Sequence, residues 1–554
     1  MIKPIKKTDV RDTKPLLLIV VVSILALAPA LIYGVPANRD LQSHFRMALS
    51  FKESFSHGDF YPGWVAEANN GYGDVSVRFY PPGLAFLLAL TQSLTGNWYV
   101  TTLMIFTFLT LVGGLGTYEW ARNFYAPRVA MWAGVFYIFM PYHINELYQS
   151  SLLGEYAAAS VLPFAFAFTE KLCRDGGKRS IGGLAASYAL LILANLPLAI
   201  IGSYALVLYL LLTTERREIW ATLSRFAGAI ALGLLASACF WFTVLAELPW
   251  LRPDNENTFN RINFIFSSFR RQAGDTGIWY GNLLAFATLA MLLPAVILLR
   301  SRDQTEVRRV LKTVGLLAAF SFLMTTVISL PVWEILPKLK DVQLPWRWLA
   351  VTSMASAVLT AGSIPWWKEI ATSRRRPIAL LAVGCVSLSL AFTISHPIRE
   401  AHYLPSHKFD AVVAHLPGLP TIGAWYPKWV SDKFLVMPQL VVAAQRSVTI
   451  GAWQSEHRIF QVSEGPATDA RVHTFYYPLW RASAAGRTLA TRPDEDGTLI
   501  VSLPPESVSV DLSFREPRRS LISGILSIVG WILILILIVR GAKPKATEGE
   551  RADI

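Results

Sequence analysis

Tyr80-Pro81-Pro82-Gly83-Leu84-Ala85-Phe86-Leu87-Leu88-Ala89-Leu90-Thr91-Gln92-Ser93-Leu94-Thr95-Gly96 is the stretch on which the membrane topology turns. It is apolar, but it opens on two prolines, closes on Thr95-Gly96 and is short. A crossing helix needs about 20 mostly apolar residues. Stronger runs flank it, at roughly 15–34, 99–120, 129–144, 155–170, 181–195, 197–213, 223–246, 282–299, 311–330, 347–367, 378–395 and 520–539. Cytoplasmic loops collect Lys and Arg. Basic residues crowd the N-terminus (Lys3, Lys6, Lys7, Arg11, Lys14) and the connectors at Arg122/Arg128, Lys171–Arg179, Arg216–Arg225, Arg300–Lys312, Lys368–Arg376 and Arg540–Lys545. If 80–96 does not cross, all of them fall on one side. If it crosses, most move outside. The sequence therefore predicts a polytopic α-helical membrane protein of about twelve transmembrane helices, both termini cytoplasmic, with 80–96 as an interfacial or re-entrant helix.

Composition agrees. Of 554 residues, 53% are hydrophobic and 16% charged, against about 25% charged in soluble domains. The net charge of +13 sits beside apolar runs, so it is read as topological and nucleic acid is not expected as a partner. Cys173, Cys239 and Cys385 give neither a disulfide framework nor a zinc spacing. Ala28-Pro29-Ala30 looks like a signal-peptide cleavage site, but the preceding run is long for one and is read as an anchor.

Three regions then face outward: 35–79, 247–280 and 396–518. The expected organisation is a transmembrane catalytic domain over 1–395, a small β-rich extracytoplasmic domain over 396–518, and a final helix with a cytoplasmic tail over 519–554. In the second, Leu499, Val501 and Leu503 alternate with polar residues, as do Val508, Val510, Leu512 and Phe514. Asp496-Gly497 is a hairpin-turn dipeptide just before the first of these runs.

Residues able to carry chemistry cluster at the outer ends of spans. Asn38-Arg39-Asp40-Leu41-Gln42-Ser43-His44 follows the first span, and Phe45, Ala48, Leu49, Phe51 and Phe55 continue at helical spacing, as in an amphipathic interfacial helix. Asp40 and His44 share a face at i, i+4. Asp40 is either a general base at the lipid–water boundary or a helix cap. The loop continues through Asp59, Tyr61-Pro62-Gly63-Trp64, Asn69-Asn70-Gly71-Tyr72-Gly73 and Phe79-Tyr80-Pro81-Pro82. Aromatics among Asn, Asp and Gly suit sugar recognition, and equally an interface loop with an aromatic belt. Glu155 opens a span, where an ionisable residue is costly, although a helix-start acid also complements the macrodipole. Arg347 stands between Trp346 and Trp348, placed to hold a lipid phosphate or to snorkel as an anchor. There is no His/Cys metal cluster and no nucleotide-binding loop, so an ATP-independent, lipid-linked substrate fits best.

The ordered set (Asp40 after the first span, Tyr61-Pro62-x-Trp64 with Asn70-Gly71-Tyr72-Gly73, Phe79-Tyr80-Pro81-Pro82, Glu155, and Gln343-x-Pro345-Trp346-Arg347) resembles the bacterial membrane family labelled "6-pyruvoyl-tetrahydropterin synthase related". Nothing in the residues points to pterin chemistry. The family looks like a branch of the GT-C glycosyltransferases, similar to protein O-mannosyltransferases and aminoarabinose transferases. The resemblance implies a GT-C-like fold in a bacterial inner membrane. It also implies a sugar donor on polyprenyl phosphate, transfer with inversion outside the cytoplasm, and a glycan, lipid or protein acceptor. It makes Asp40 and Glu155 the catalytic acids. His44, Asp59, Trp64, Asn70, Tyr80, Trp346 and Arg347 become substrate-binding residues, with Arg347 on the departing phosphate. Arg39 stands where close relatives carry a second acid, so a divalent metal is possible but not indicated. A lipid-linked-sugar flippase would place ionisable groups mid-membrane; a non-catalytic sugar-binding scaffold is the other alternative, and fold alone does not exclude it.

Overall fold

The computed structural model describes residues 13–37, 39–252, 259–269, 277–300, 304–372, 376–416, 426–431 and 436–541. Among them, seven helices are long and apolar enough to cross a membrane: Trp98–Ala121, Leu196–Thr213, Arg216–Ala236, Trp279–Arg300, Pro345–Trp367, Arg376–Pro397 and Arg518–Gly541. At 1.5 Å per residue, a 24-residue helix rises about 36 Å, enough for a hydrocarbon core of about 30 Å.

Seven rather than twelve meet that criterion, and the reasons are local. The run 15–34 breaks into Lys14–Leu25 and Ala28–Tyr33. The run 129–144 ends as Pro127–Ile138, because Pro141 starts a separate helix, Pro141–Asn145. Leu153–Asp175 is long, but it buries two acids, Glu155 and Glu170. Lys178–Ala194 has 17 residues. The run 311–330 is interrupted by a π-turn, Leu311–Gly315, before Leu316–Leu323.

The deciding stretch forms Gly83–Thr95, 13 residues closed by Gly96 at φ +69°. That is about 20 Å of helix, short of a crossing. It packs on Arg39–Ser56 and Trp98–Ala121. The amphipathic stripe of Arg39–Ser56 is covered by protein: Phe45 meets Trp98 and Phe409 edge-on at 5.6 and 5.3 Å, and Leu41, Ala48 and Phe51 are buried.

Strand β1 (Val35–Pro36) pairs antiparallel with β2 (Tyr403–Leu404). Nine further strands follow: β3 (Val441–Ala443), β4 (Val448–Trp453), β5 (His457–Val462), β6 (Thr468–Phe475), β7 (Trp480–Ala484), β8 (Arg487–Leu489), β9 (Thr491–Pro493), β10 (Thr498–Leu503) and β11 (Val508–Phe514). They form two antiparallel sheets, ordered β3-β6-β10-β9 and β4-β5-β11-β7-β8. One core lies between them, with Val472, Leu499 and Val501 from the first sheet and Phe460, Val510 and Leu512 from the second. The alternation in 499–503 and 508–514 buries Leu499, Val501, Leu503, Val510, Leu512 and Phe514 as expected. Gly497 supplies the positive φ (+86°) of the preceding turn.

That core is completed from the first loop. Trp64, Tyr72, Val75 and Phe79 pack into it. Phe475 N donates to Tyr72 O (2.8 Å), and Tyr72 Oη receives Met437 N (3.0 Å). Arg78, 2% exposed, bonds Glu247 through Nε (2.7 Å) and Nη2 (2.8 Å) and also engages Glu516. Arg519 and Tyr477 reach the same Glu247 at 2.8 and 2.7 Å. This network welds the first loop, the helix Ala238–Glu247, the β-domain and the final helix. Residues on this seam were not singled out from the sequence, since Arg78 and Glu247 lie far apart in the chain.

Candidate active site

Arg347 is aimed by its own approach. Gln343 has φ +66° and ψ −51°, and Leu344 N donates to Val342 O at 2.8 Å. That is a γ-turn of the rare, strained hand. Leu344 is extended ahead of Pro345, and Pro345–Trp348 forms one 3₁₀ turn. The guanidinium then donates through Nη1 to Val342 O (2.6 Å) and through Nε to Glu155 Oε2 (2.8 Å). Arg347 is 8% exposed and Glu155 1%. The other oxygen of Glu155 accepts from Tyr142 Oη. Glu155 lies in the first turn of Leu153–Asp175, so the helix-dipole role and the ion pair coincide.

The segment before Glu155 is distorted. Glu146–Ser150 is a π-turn, and Ser151 follows at φ +51°. Such turns concentrate at functional sites. Glu146 is 3% exposed. Its Oε1 accepts from Asn145 Nδ2 (3.3 Å). Burial, then the Glu155 carboxylate, push its carboxyl well above the ordinary carboxylate range, with Asp40 adding to the effect and Arg347 opposing it.

Asp40 sits in the first turn of Arg39–Ser56. Tyr80 lies within electrostatic reach of Asp40, Arg347 and Glu155 together; burial, then Asp40, raise its phenol. His44 packs edge-on against Tyr80 at 5.6 Å, and both rings close over Gly154, where a Cβ would come within 3.0 Å of Tyr80 Oη and 3.6 Å of His44. His44 is 4% exposed, and burial lowers its imidazole to about 4, so it is neutral at pH 7. Four chain segments thus bring Asp40, His44, Tyr80, Glu155 and Arg347 together, with Tyr142, Asn145 and Glu146 added. In the sequence Tyr142, Asn145 and Glu146 stand in 141–156, a stretch that carries no Lys or Arg.

The other expected substrate-binding residues lie elsewhere. Trp64 is 1% exposed, packed on Trp480 (5.6 Å) and Phe514 (5.7 Å), and borders the same cleft as Asp59. Asn70 is an exposed turn residue at φ +58° whose carbonyl accepts from His473 (2.9 Å). Trp346 lays its ring against Gly281. Asp59 lines a separate cleft of about 280 Å³ with His57, Glu53 and Glu456. Among the described residues, no group of three or more His, Cys, Asp or Glu is placed to hold a metal ion.

Residues 77–397 match the family described as "6-pyruvoyl-tetrahydropterin synthase related domain; membrane protein". That is more than half of the chain, and the chain belongs to this family of membrane proteins. No curated protein sequence matches it. Its structure is similar to that of the arabinofuranosyltransferase AftD from Mycobacteria, at 15% identity and TM-score 0.47, over 71% of this chain and 28% of that one. It is also similar to ArnT from Cupriavidus metallidurans, at 15% identity and TM-score 0.44, over 70% and 76%. A third similar structure is the oligosaccharyltransferase AglB from Archaeoglobus fulgidus, at 11% identity and TM-score 0.39, over 72% and 57%. The chain therefore spans under a third of the length of AftD.

Proposed function

We propose that this protein is a membrane glycosyltransferase of GT-C type that moves a sugar from a polyprenyl-phosphate donor to an extracytoplasmic acceptor, inverting the anomeric carbon. The observation that carries the reading is the convergence of two acids and a guanidinium, Asp40, Glu155 and Arg347, from three distant parts of the chain. Asp40 is the base that accepts the proton of the acceptor hydroxyl as its oxygen attacks the anomeric carbon. The bond from that carbon to the phosphate oxygen breaks, and the charge collects on the leaving phosphate. Arg347 stabilises that charge, and Glu155 holds Arg347 in place. The carboxylates also favour the oxocarbenium character that the sugar acquires. His44 is neutral at pH 7. Tyr80 orders the same wall.

The site opens outside the cytoplasm in a bacterial inner membrane, with Gly83–Thr95 as a re-entrant helix and both termini inside. The test is Asp40→Asn. Lost glycan transfer with intact expression and donor binding supports the assignment; unchanged transfer removes Asp40 as base.

A further inference from the structure

Asn145 Oδ1 and Glu146 Oε2 are buried side-chain oxygens with no hydrogen-bond partner among the described residues. Such atoms cost about 1–3 kcal/mol each when left without a partner, so each calls for a ligand or a buried water to meet it. The amide's orientation is fixed, because Asn145 Nδ2 already donates to Ser150 Oγ (2.8 Å) and Glu146 Oε1 (3.3 Å). Its oxygen is therefore the free end. Both residues sit at the junction of the short helix Pro141–Asn145 with the π-turn, and that junction packs on the helices Gly277–Arg300, Leu349–Ala371 and Arg376–Glu400. The groups within electrostatic or hydrogen-bonding reach of Glu146 include Glu155, Arg347, Asp40, Tyr142 and Asn145. Arg347 and Tyr142 are both committed to Glu155, so neither satisfies Glu146.

We propose that Asn145 Oδ1 and Glu146 Oε2 form a subsite for adjacent hydroxyl groups of the transferred sugar, beside the Glu155–Arg347 pair. This rests on the transferase reading and deepens it. The amide oxygen needs an O–H donor, and the carboxyl, neutral in this surrounding and with Oε1 already accepting from Asn145, offers its O–H at Oε2; a vicinal diol meets both, one hydroxyl donating and its neighbour accepting. A phosphate is the wrong ligand, since the carboxyl groups of Glu155 and Asp40 lie within electrostatic reach of the place. The donor's phosphate belongs at Arg347, and its sugar at this floor.

The experiment measures binding of undecaprenyl phosphate and of undecaprenyl phosphate carrying a pentose, a hexose or an aminopentose to the full-length protein in nanodiscs. Wild type should bind at least one sugar-bearing lipid about ten-fold or more tightly than the bare lipid. Glu146→Met, similar in shape but apolar, should erase that preference, keep the affinity for bare lipid, and melt no lower than wild type. Relief of an unsatisfied polar group predicts the last result, and a merely structural carboxyl would not give it. Glu146→Gln, which keeps one oxygen, should retain part of the preference, and Asn145→Ser should lose most of it. A Met variant with the wild-type preference overturns the proposal and leaves buried water as the partner of these atoms. So does a Met variant that melts well below wild type. If wild type binds none of these lipids, the transferase reading falls; if wild type discriminates and the variants still do, only the subsite falls.

Discussion

Removal of Arg347 tests the centre of the site most sharply. Arg347→Ala deletes the Nε bond to Glu155 and the Nη1 bond to Val342 O. It strands a carboxylate that is 1% exposed and left with Tyr142 Oη as its remaining donor. Breaking a buried pair from one side costs about 3–5 kcal/mol. Part of that is the penalty of the orphaned charge, so Glu155→Gln in the same chain should recover it. A double-mutant cycle on unfolding in detergent should return a coupling of about 2 kcal/mol. The same Arg347→Ala protein should lose affinity for undecaprenyl phosphate while its affinity for acceptor is unchanged. Additivity of the two substitutions within about 0.5 kcal/mol, or an unaltered lipid affinity, would refute the geometry from which this is argued.

Other outcomes follow from single features. Because burial depresses His44 from 6.5 to about 4, the unfolded chain takes up the proton first as pH falls. Stability should drop by up to about 3 kcal/mol between pH 6.5 and 4, and in His44→Phe melting curves across that window this slope should vanish. Glu456, which accepts Gly63 N (2.6 Å) and Trp64 N (3.2 Å), is raised by burial and then Glu516 to about 7. Its ionisation should weaken the fold as pH rises from 4.5 towards 7, and Glu456→Gln should flatten that part of the melting profile. Arg78→Lys cannot reproduce the forked contact to Glu247 and should loosen the β-domain seam, read as faster proteolysis there; wild-type resistance would contradict it. A cysteine at Gly96 should be labelled from outside the cell if Gly83–Thr95 is re-entrant, and labelling from the cytoplasm alone would overturn that topology.

What the sequence made legible was local. Hydropathy located the seven long helices, and period-2 alternation located β10 and β11, because both signals are written within one element. The shortness of Gly83–Thr95 was visible in its two prolines and its terminal Gly96. The breaks at Pro141 and at the π-turn Leu311–Gly315 were harder. An apolar run reads the same whether its hydrogen-bond ladder is continuous or interrupted. Trp64 shows the limit of composition. An aromatic among Gly and Pro suits a sugar platform and a domain core equally, and only the partner surface, some 400 residues later at Trp480 and Phe514, decides. Asp40, Glu155 and Arg347 could each be singled out by chemistry, but their meeting depends on helix packing. Asn145 and Glu146 gave almost no signal, since their unpaired atoms exist only in three dimensions.

The first loop's part in the β-sandwich has a practical consequence for anyone wishing to study that β-rich module as a soluble fragment. Excising 396–518 would remove Trp64, Tyr72, Val75 and Phe79 from between the sheets and leave a socket of bare Trp480, Phe475 and Phe514 rings. Such a fragment should aggregate. A chimera that splices residues 59–80 onto it through a flexible tether would restore the missing plug and is the version to express.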